Sequence, residues 1–340
     1  MAALTASPRV RRLLKLGFGA AVIGGTVAVV GTGPLVRGVL AVSPEAILAA
    51  ALLTGAATSA AAWRWRTVSA ELGLRMRWTT AMAAYYRSQF LNVVLPGGVV
   101  GDVHRAYRQG RQAGDVPIAA RAVATERASG QVVQFAFTLV VLAALGLTGP
   151  LTGWLSALAW VAAGAAVAAV VGLLVLASSV RGRGMLRYEL SLLRKVFGAP
   201  RAAIAIVASS IVIVASHAAT FVVACLVIGI HASPRELVAL AVIALAAASL
   251  PVNVGGWGPR EAASASAFAM VGLGAGAGLA ASTAFGVLTI IAVLPGAAVL
   301  VAERIAAARA VPARNHPAVR TVGTVGTVRT VHPRPEESAA

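Results

Sequence analysis

Two stretches of the chain place charged side chains directly after a break in an apolar run. The first reads Leu95-Pro96-Gly97-Gly98-Val99-Val100-Gly101-Asp102-Val103-His104-Arg105, and the second Leu250-Pro251-Val252-Asn253-Val254-Gly255-Gly256-Trp257-Gly258-Pro259-Arg260-Glu261. Proline removes a backbone donor and clashes with the preceding turn, while paired glycines open extended and left-handed backbone, so neither stretch is one continuous helix. A helix restarting after Gly97 and Gly98 aims backbone N–H groups and the positive end of its dipole into the bundle, and the Arg105 guanidinium adds a fork that matches phosphate. Gly255, Gly256 and Arg260 repeat the arrangement. The chemistry is anion binding, with a lipid phosphate as the natural ligand. The competing reading has Asp102 capping the helix and Arg105 sitting in the headgroup layer, with Trp257 as an interfacial anchor.

A third charged element opens an apolar segment: Arg121-Ala-Val-Ala-Thr125-Glu126-Arg127-Ala-Ser129-Gly130-Gln131. Charges at membrane depth are costly and face a partner or a water path, so Glu126 and Arg127 are candidates to pair across to the two broken stretches. They equally fit an interfacial position from which they snorkel. Arg105, Arg260 and Arg127 are thus the candidate phosphate binders. Asp102, Glu126, Glu261 and His104 are their candidate charge partners or proton couplers. Asp102 or Glu126 as general base with His104 as acid is the enzymatic alternative. Gln134 and His217 are weaker candidates, a lone histidine in an apolar helix more often being a packed hydrogen-bonding residue.

These residues sit in a chain that is 59% apolar and 12% charged, with a mean hydropathy of +0.84. A soluble domain carries about a quarter charged residues, so the chain belongs in a bilayer. Apolar stretches long enough to cross about 30 Å of hydrocarbon lie near 16–36, 45–63, 128–148, 154–178, 202–230 and 279–301. Arg64, Arg66, Arg75 and Arg77 follow the second, Arg181, Arg183, Arg187, Arg194 and Lys195 the fourth, and Arg304 and Arg309 the last. By the positive-inside rule these are cytoplasmic loop charges and both termini are cytoplasmic. The broken segments 79–104 and 237–275 must then each enter and leave on one side, as re-entrant hairpins from opposite faces. Each half holds two spans, a hairpin and a third span, which is an inverted-topology repeat with halves at about 13–150 and 151–305. Arg105 and Arg260 each fall nine residues after the Pro of their break, which supports that register.

The expected fold is therefore all-α, a polytopic helical membrane protein of six full spans plus two re-entrant broken hairpins. A membrane domain over 1–310 precedes a low-complexity tail, 311–340, with the composition of a disordered cytoplasmic segment. The net charge of +18 reads as membrane topology, not as nucleic-acid binding. The single cysteine, Cys225, makes no internal disulfide, and no Cys/His pair has metal-ligand spacing, so no metal and no cofactor are expected. The basic stretch Arg9 to Lys15 before residues 16–36 resembles a signal sequence, but its apolar run is too long and lacks a small-x-small site, so it reads as an uncleaved span. No Walker motif and no Gly-x-Ser-x-Gly elbow is present.

The segments LPGGVVGDVHRA (95–106), ERASG (126–130) and LPVNVGGWGPREAA (250–263) resemble the lysylphosphatidylglycerol synthase transmembrane region family of flippase-like integral membrane proteins. The resemblance covers residues 10–305. It implies a module that moves lipids between leaflets, which in fused relatives accompanies a cytosolic aminoacyl-transferase domain that this sequence does not contain. Many relatives carry an acidic residue where Gly130 stands. The Ala- and Arg-rich composition suggests a high-GC bacterium and hence the cell membrane. The expected function is translocation of a phospholipid or lipid-linked headgroup with no catalytic residue. A membrane-embedded lipid-modifying transferase and a non-transporting scaffold for a lipid-synthesis enzyme are the alternatives. Such an enzyme or a second copy of the chain, as a homodimer, are the protein partners this reading leaves open.

Overall fold

The computed structural model describes residues 31–95, 98–145, 179–249 and 258–310, together with Gly153. Among them there is helix and no strand, and the chain is a polytopic helical membrane protein. The helices are α1 (Gly33–Leu40), α2 (Pro44–Glu71), α3 (Trp78–Val94), α4 (Val100–Ala113), α5 (Val116–Ala144), α6 (Val180–Phe197), α7 (Pro200–Val227), α8 (Pro234–Ala248), α9 (Pro259–Met270), α10 (Ala275–Ala292) and α11 (Pro295–Ala310). Four described stretches are long and apolar enough to cross a membrane: Pro44–Glu71, Val116–Ala144, Pro200–Val227 and Ala275–Ala306. They correspond to the expected spans at 45–63, 128–148, 202–230 and 279–301. The expected first span reaches the described residues only at its end, and 154–178 and the tail 311–340 lie outside them.

Local chemistry sets where these helices begin. Ser43, Asp115 and Ser233 each accept a hydrogen bond from the backbone of the first turn, each with Pro at one of the first two helical positions, where its missing N–H costs nothing. Ser233 and Glu236 close a full capping box. The bonds from Ser233 hold the Glu236 carboxyl below the usual carboxylate range. Gly114, at φ 78°, ends α4 in the left-handed conformation that glycine adopts without a steric penalty.

Small residues bring the helices close. α2 and α7 pack antiparallel, Val68 sharing one buried cluster with Ile206 while Ala46 and Ala50 share another with Phe221 and Cys225. Phe221 touches Phe268 and Phe285, with ring centroids 6.4 and 5.7 Å away, and so ties α7 to α9 and α10. A Cβ on Gly101 would lie 2.0 Å from the Ser88 carbonyl oxygen, and one on Gly278 2.2 Å from that of Ser264. The α3–α4 and α9–α10 contacts therefore tolerate no side chain at these points.

Both expected breaks are present. The first separates α3 from α4, and Gly98 beside it has φ 63°. The second separates α8 from α9, with Gly258 at φ 120°. In each case the helices before and after the break pack on one another. Pro96, Gly97, Gly255 and Gly256 lie outside the described residues.

The expectation that Arg64 is a loop charge after the second span is overturned. α2 runs on to Glu71, and Arg64 is 5% exposed inside it. An acidic partner on α5 compensates the charge there, which makes the position affordable inside the bundle. By its internal contacts the chain divides into Met1–Ala302 and Glu303–Ala340, and the described part of the second unit, 303–310, is helical.

Candidate functional site

Glu126, fully buried on α5, is the hub of a charge cluster. Its Oε1 accepts from Arg64 on α2 through Nε at 2.9 Å and Nη2 at 2.6 Å, and from the Tyr85 hydroxyl on α3 at 3.2 Å. Its Oε2 accepts from Arg105 Nη2 on α4 at 2.9 Å. One carboxylate thus joins four helices. Burial of such an ion is compensated only where geometry and extra hydrogen bonds are good, as they are at the Glu126 carboxylate, both of whose oxygens are engaged.

Asp102, in the first turn of α4, forms the second acidic centre. Its Oδ1 accepts from Ser88 at 3.0 Å, from Arg105 Nη2 at 3.1 Å and from Arg127 Nη2 at 2.8 Å, and its Oδ2 accepts from Asn92 at 3.1 Å. The pairing of Glu126 and Arg127 toward the first broken segment is therefore present. Asp102 makes no capping bond of its own. Asn92 does that work instead, accepting from the Gly101 N–H at 2.7 Å. The Asp102 and Val103 N–H groups donate to the Val99 carbonyl at 3.1 Å each. The expectation of free first-turn amides aimed at an anion is accordingly corrected for Gly101, Asp102 and Val103, whose donors are used within the protein.

Arg105 is locked. Its side chain is wholly inaccessible, and its guanidinium carbon lies 4.4 Å from the ring centroids of both Trp65 and Tyr85, within cation–π range. Arg127 differs: its side chain is 42% exposed and it opens onto a cavity of about 400 Å³. Arg64, Asp102 and Ser210 share that wall, and the Arg64 Nη1 donates to Ser210 at 2.8 Å. Gln131, Gln134 and His217 supply further polar groups. Gly98 and Val99 bound the cavity at the first break, and Ala248 and Ser249 bound it at the end of α8, just before the second. Gln131 donates to the Ser249 carbonyl at 3.0 Å and so links α5 to that end.

Among the described residues, the charges in this cluster do not cancel. Three guanidiniums, Arg64, Arg105 and Arg127, face two carboxylates, Asp102 and Glu126, which leaves one positive charge, and two of the three cations line the cavity. Such an arrangement can bind a single negative charge. Gly130 makes it possible: a Cβ there would come within 2.7 Å of the Arg64 guanidinium, so the missing side chain is the space Arg64 occupies.

Arg260 and Glu261 form a separate cluster. Arg260 donates to Glu261 through Nη2 at 2.6 Å and to Ser282 through Nε at 2.9 Å, and its guanidinium carbon is 5.0 Å from the Phe285 ring centroid. The Gly258 N–H donates to Glu261 at 2.6 Å. The structure therefore unites Asp102, Arg105, Glu126 and Arg127 and sets Arg260 and Glu261 apart. Neither Arg105, Arg260 nor His104 lines the described cavity. Sequence reasoning missed Arg64, Tyr85, Ser88, Asn92 and Ser210. The available signal for Arg64 was its place between Trp63 and Trp65 in an otherwise small-residue helix, opposite an intramembrane glutamate in need of a cation.

The family described as Lysylphosphatidylglycerol synthase TM region matches residues 12–296, and the chain belongs to it. Comparison with curated proteins and with solved structures gives no match.

Proposed function

We propose that this member of the lysylphosphatidylglycerol synthase TM-region family is a lipid translocator of the bacterial cell membrane, with cytoplasmic termini. It takes the phosphate of a phospholipid or lipid-linked headgroup into the cavity between its two broken segments. The observation that carries this reading is the uncompensated guanidinium charge on a polar cavity inside a membrane protein. Arg127 and Arg64 bind the phosphate, while Gln131, Gln134 and Ser210 meet headgroup hydroxyls or amides. Arg105 holds the shape of the site from behind. Irregular backbone at membrane depth is tolerated beside such a cavity, and broken helices in corresponding halves are the usual setting of a transported substrate. The two halves form an inverted repeat that rocks to open the cavity to each leaflet in turn.

The membrane-transferase alternative has less support. Asp102 and His104 stand two positions apart on one helix, about 200° around its axis, so they do not converge on one reacting atom. Reconstitution into liposomes with labelled lipids tests the proposal. Protein-dependent movement across the bilayer that Arg127→Lys suppresses is the expected result. No movement across a broad lipid panel, with or without a proton gradient, would overturn it.

A further inference from the structure

Away from the charge cluster, α2 and α7 enclose an apolar groove of about 560 Å³ whose floor is Ala56, Ala60 and Ala208. Ser59 and Ser209 also line it, but their hydroxyls donate to the Gly55 and Ile206 carbonyls of their own helices at 2.8 and 3.1 Å, so the groove makes no demand for polar partners. Both helices are long and apolar enough to cross a membrane, and an apolar groove on their surface suits the hydrocarbon of a bilayer. Trp63, 49% exposed, forms the end of this groove and also a wall of a second cavity, of about 410 Å³, lined by Arg66, Thr67, Arg75 and Met76. The Arg66 Nε donates to the Met76 carbonyl at 3.2 Å and its guanidinium carbon lies 5.6 Å from the Trp78 ring centroid, which fixes the head while its Nη groups carry no hydrogen bond among the described residues.

An apolar slot that meets a two-arginine pocket across a tryptophan has the polarity profile of one molecule. We infer that this is a binding site for an anionic glycerophospholipid, separate from the translocation cavity: an acyl chain lies in the α2–α7 groove and the phosphate rests on Arg66 and Arg75. Charge complementarity selects the occupant. A zwitterionic lipid would bring its own cation against the two arginines, and a partner helix would leave them unmatched. Thr67 lines the same pocket and brings a hydroxyl to it.

The test is lipid retention on the purified full chain, read by native mass spectrometry in detergent after exchange against an equal mixture of dioleoyl-phosphatidylglycerol and dioleoyl-phosphatidylcholine. The wild type should retain phosphatidylglycerol preferentially. The double variant Arg66→Gln/Arg75→Gln should lose that retention about tenfold or more, the worth of one charge-assisted hydrogen bond. Ala208→Phe, at an exposed position that fills the groove without entering the core, should lower retention while both arginines remain. Equal retention of the two lipids by the wild type, or unaltered phosphatidylglycerol retention in either variant, would overturn the inference. So would a homodimer that Ala208→Phe dissolves, because a second copy would then be the occupant. The readout is binding, so its failure and a failure of translocation are distinguishable.

Discussion

Glu126 receives donors from α2, α3 and α4 at once, and the consequences of altering it follow from what it leaves behind. Glu126→Gln keeps the shape and removes the charge, so the buried Arg64 and Arg105 lose their common counter-ion. Breaking a buried pair from one side costs about 3–5 kcal/mol. Thermal unfolding in detergent should show a large loss, and an unchanged midpoint would mean the cluster is not internally paired. Arg105 and Arg127 then separate two roles that their shared residue type conceals. Arg105→Lys keeps the charge but loses the planar group lying against Trp65 and Tyr85, and should destabilise by about 1–3 kcal/mol. Arg127→Lys, at a partly exposed side chain, should change the unfolding midpoint little and suppress lipid movement markedly, since a point ammonium does not reproduce a bidentate fork on phosphate. Equal transport in Arg127→Lys and the wild type, at equal protein level, would remove Arg127 from the site.

At the scale of elements, the helix pairs that flank the breaks depend on contacts where no side chain fits. Gly101→Ala sets a Cβ against the Ser88 carbonyl, which is backbone and does not yield cheaply, so the α3–α4 pair must separate. Overpacking of that kind costs about 1–3 kcal/mol. The shift should also move Asp102 away from Ser88, so reduced stability should come with reduced transport, measured on the same preparation. Gly184→Ala, with open space around it on α6, is the control: it should leave transport unchanged and stability unchanged or raised by up to about 1 kcal/mol, since alanine favours helix over glycine. Much of this layer was legible in the sequence. Runs of apolar residues near 20 long mark four spans, and Pro with paired Gly marks both breaks, because hydropathy and backbone restriction are local properties. Arg64 was misread for the complementary reason. Its charge resembles that of the arginines after it, and although its place between Trp63 and Trp65 is a local hint, the carboxylate that accounts for its burial, Glu126, is 62 residues away along the chain. Similarly, Arg105 and Arg260 share an offset from their breaks, yet nothing along the chain says that each is spent on an internal carboxylate and that Arg127 is left facing the cavity.

For the molecule as a whole, the translocator reading requires that the cavity change the side to which it opens. Gln134 is a suitable reporter: it lines the cavity from α5, and among the described residues its amide donates only to Thr138, at 3.4 Å and one turn further on, so it ties no other described helix in place. The native Cys225 is buried and can be replaced by Ala, leaving a Gln134→Cys thiol as the one labelling site. In proteoliposomes of defined orientation, a membrane-impermeant thiol reagent should reach position 134 from either face, because the population visits both openings. A transported lipid headgroup bound to Arg64 and Arg127 should slow labelling from both. Arg127→Lys in the same background should leave the labelling and abolish its protection by lipid, which separates cavity opening from phosphate binding. Labelling from one face alone, under every lipid and gradient condition tried, would make the cavity a one-sided binding pocket. The family fold would then serve lipid capture at a single leaflet, and the inverted repeat proposed above would have no alternating motion to perform.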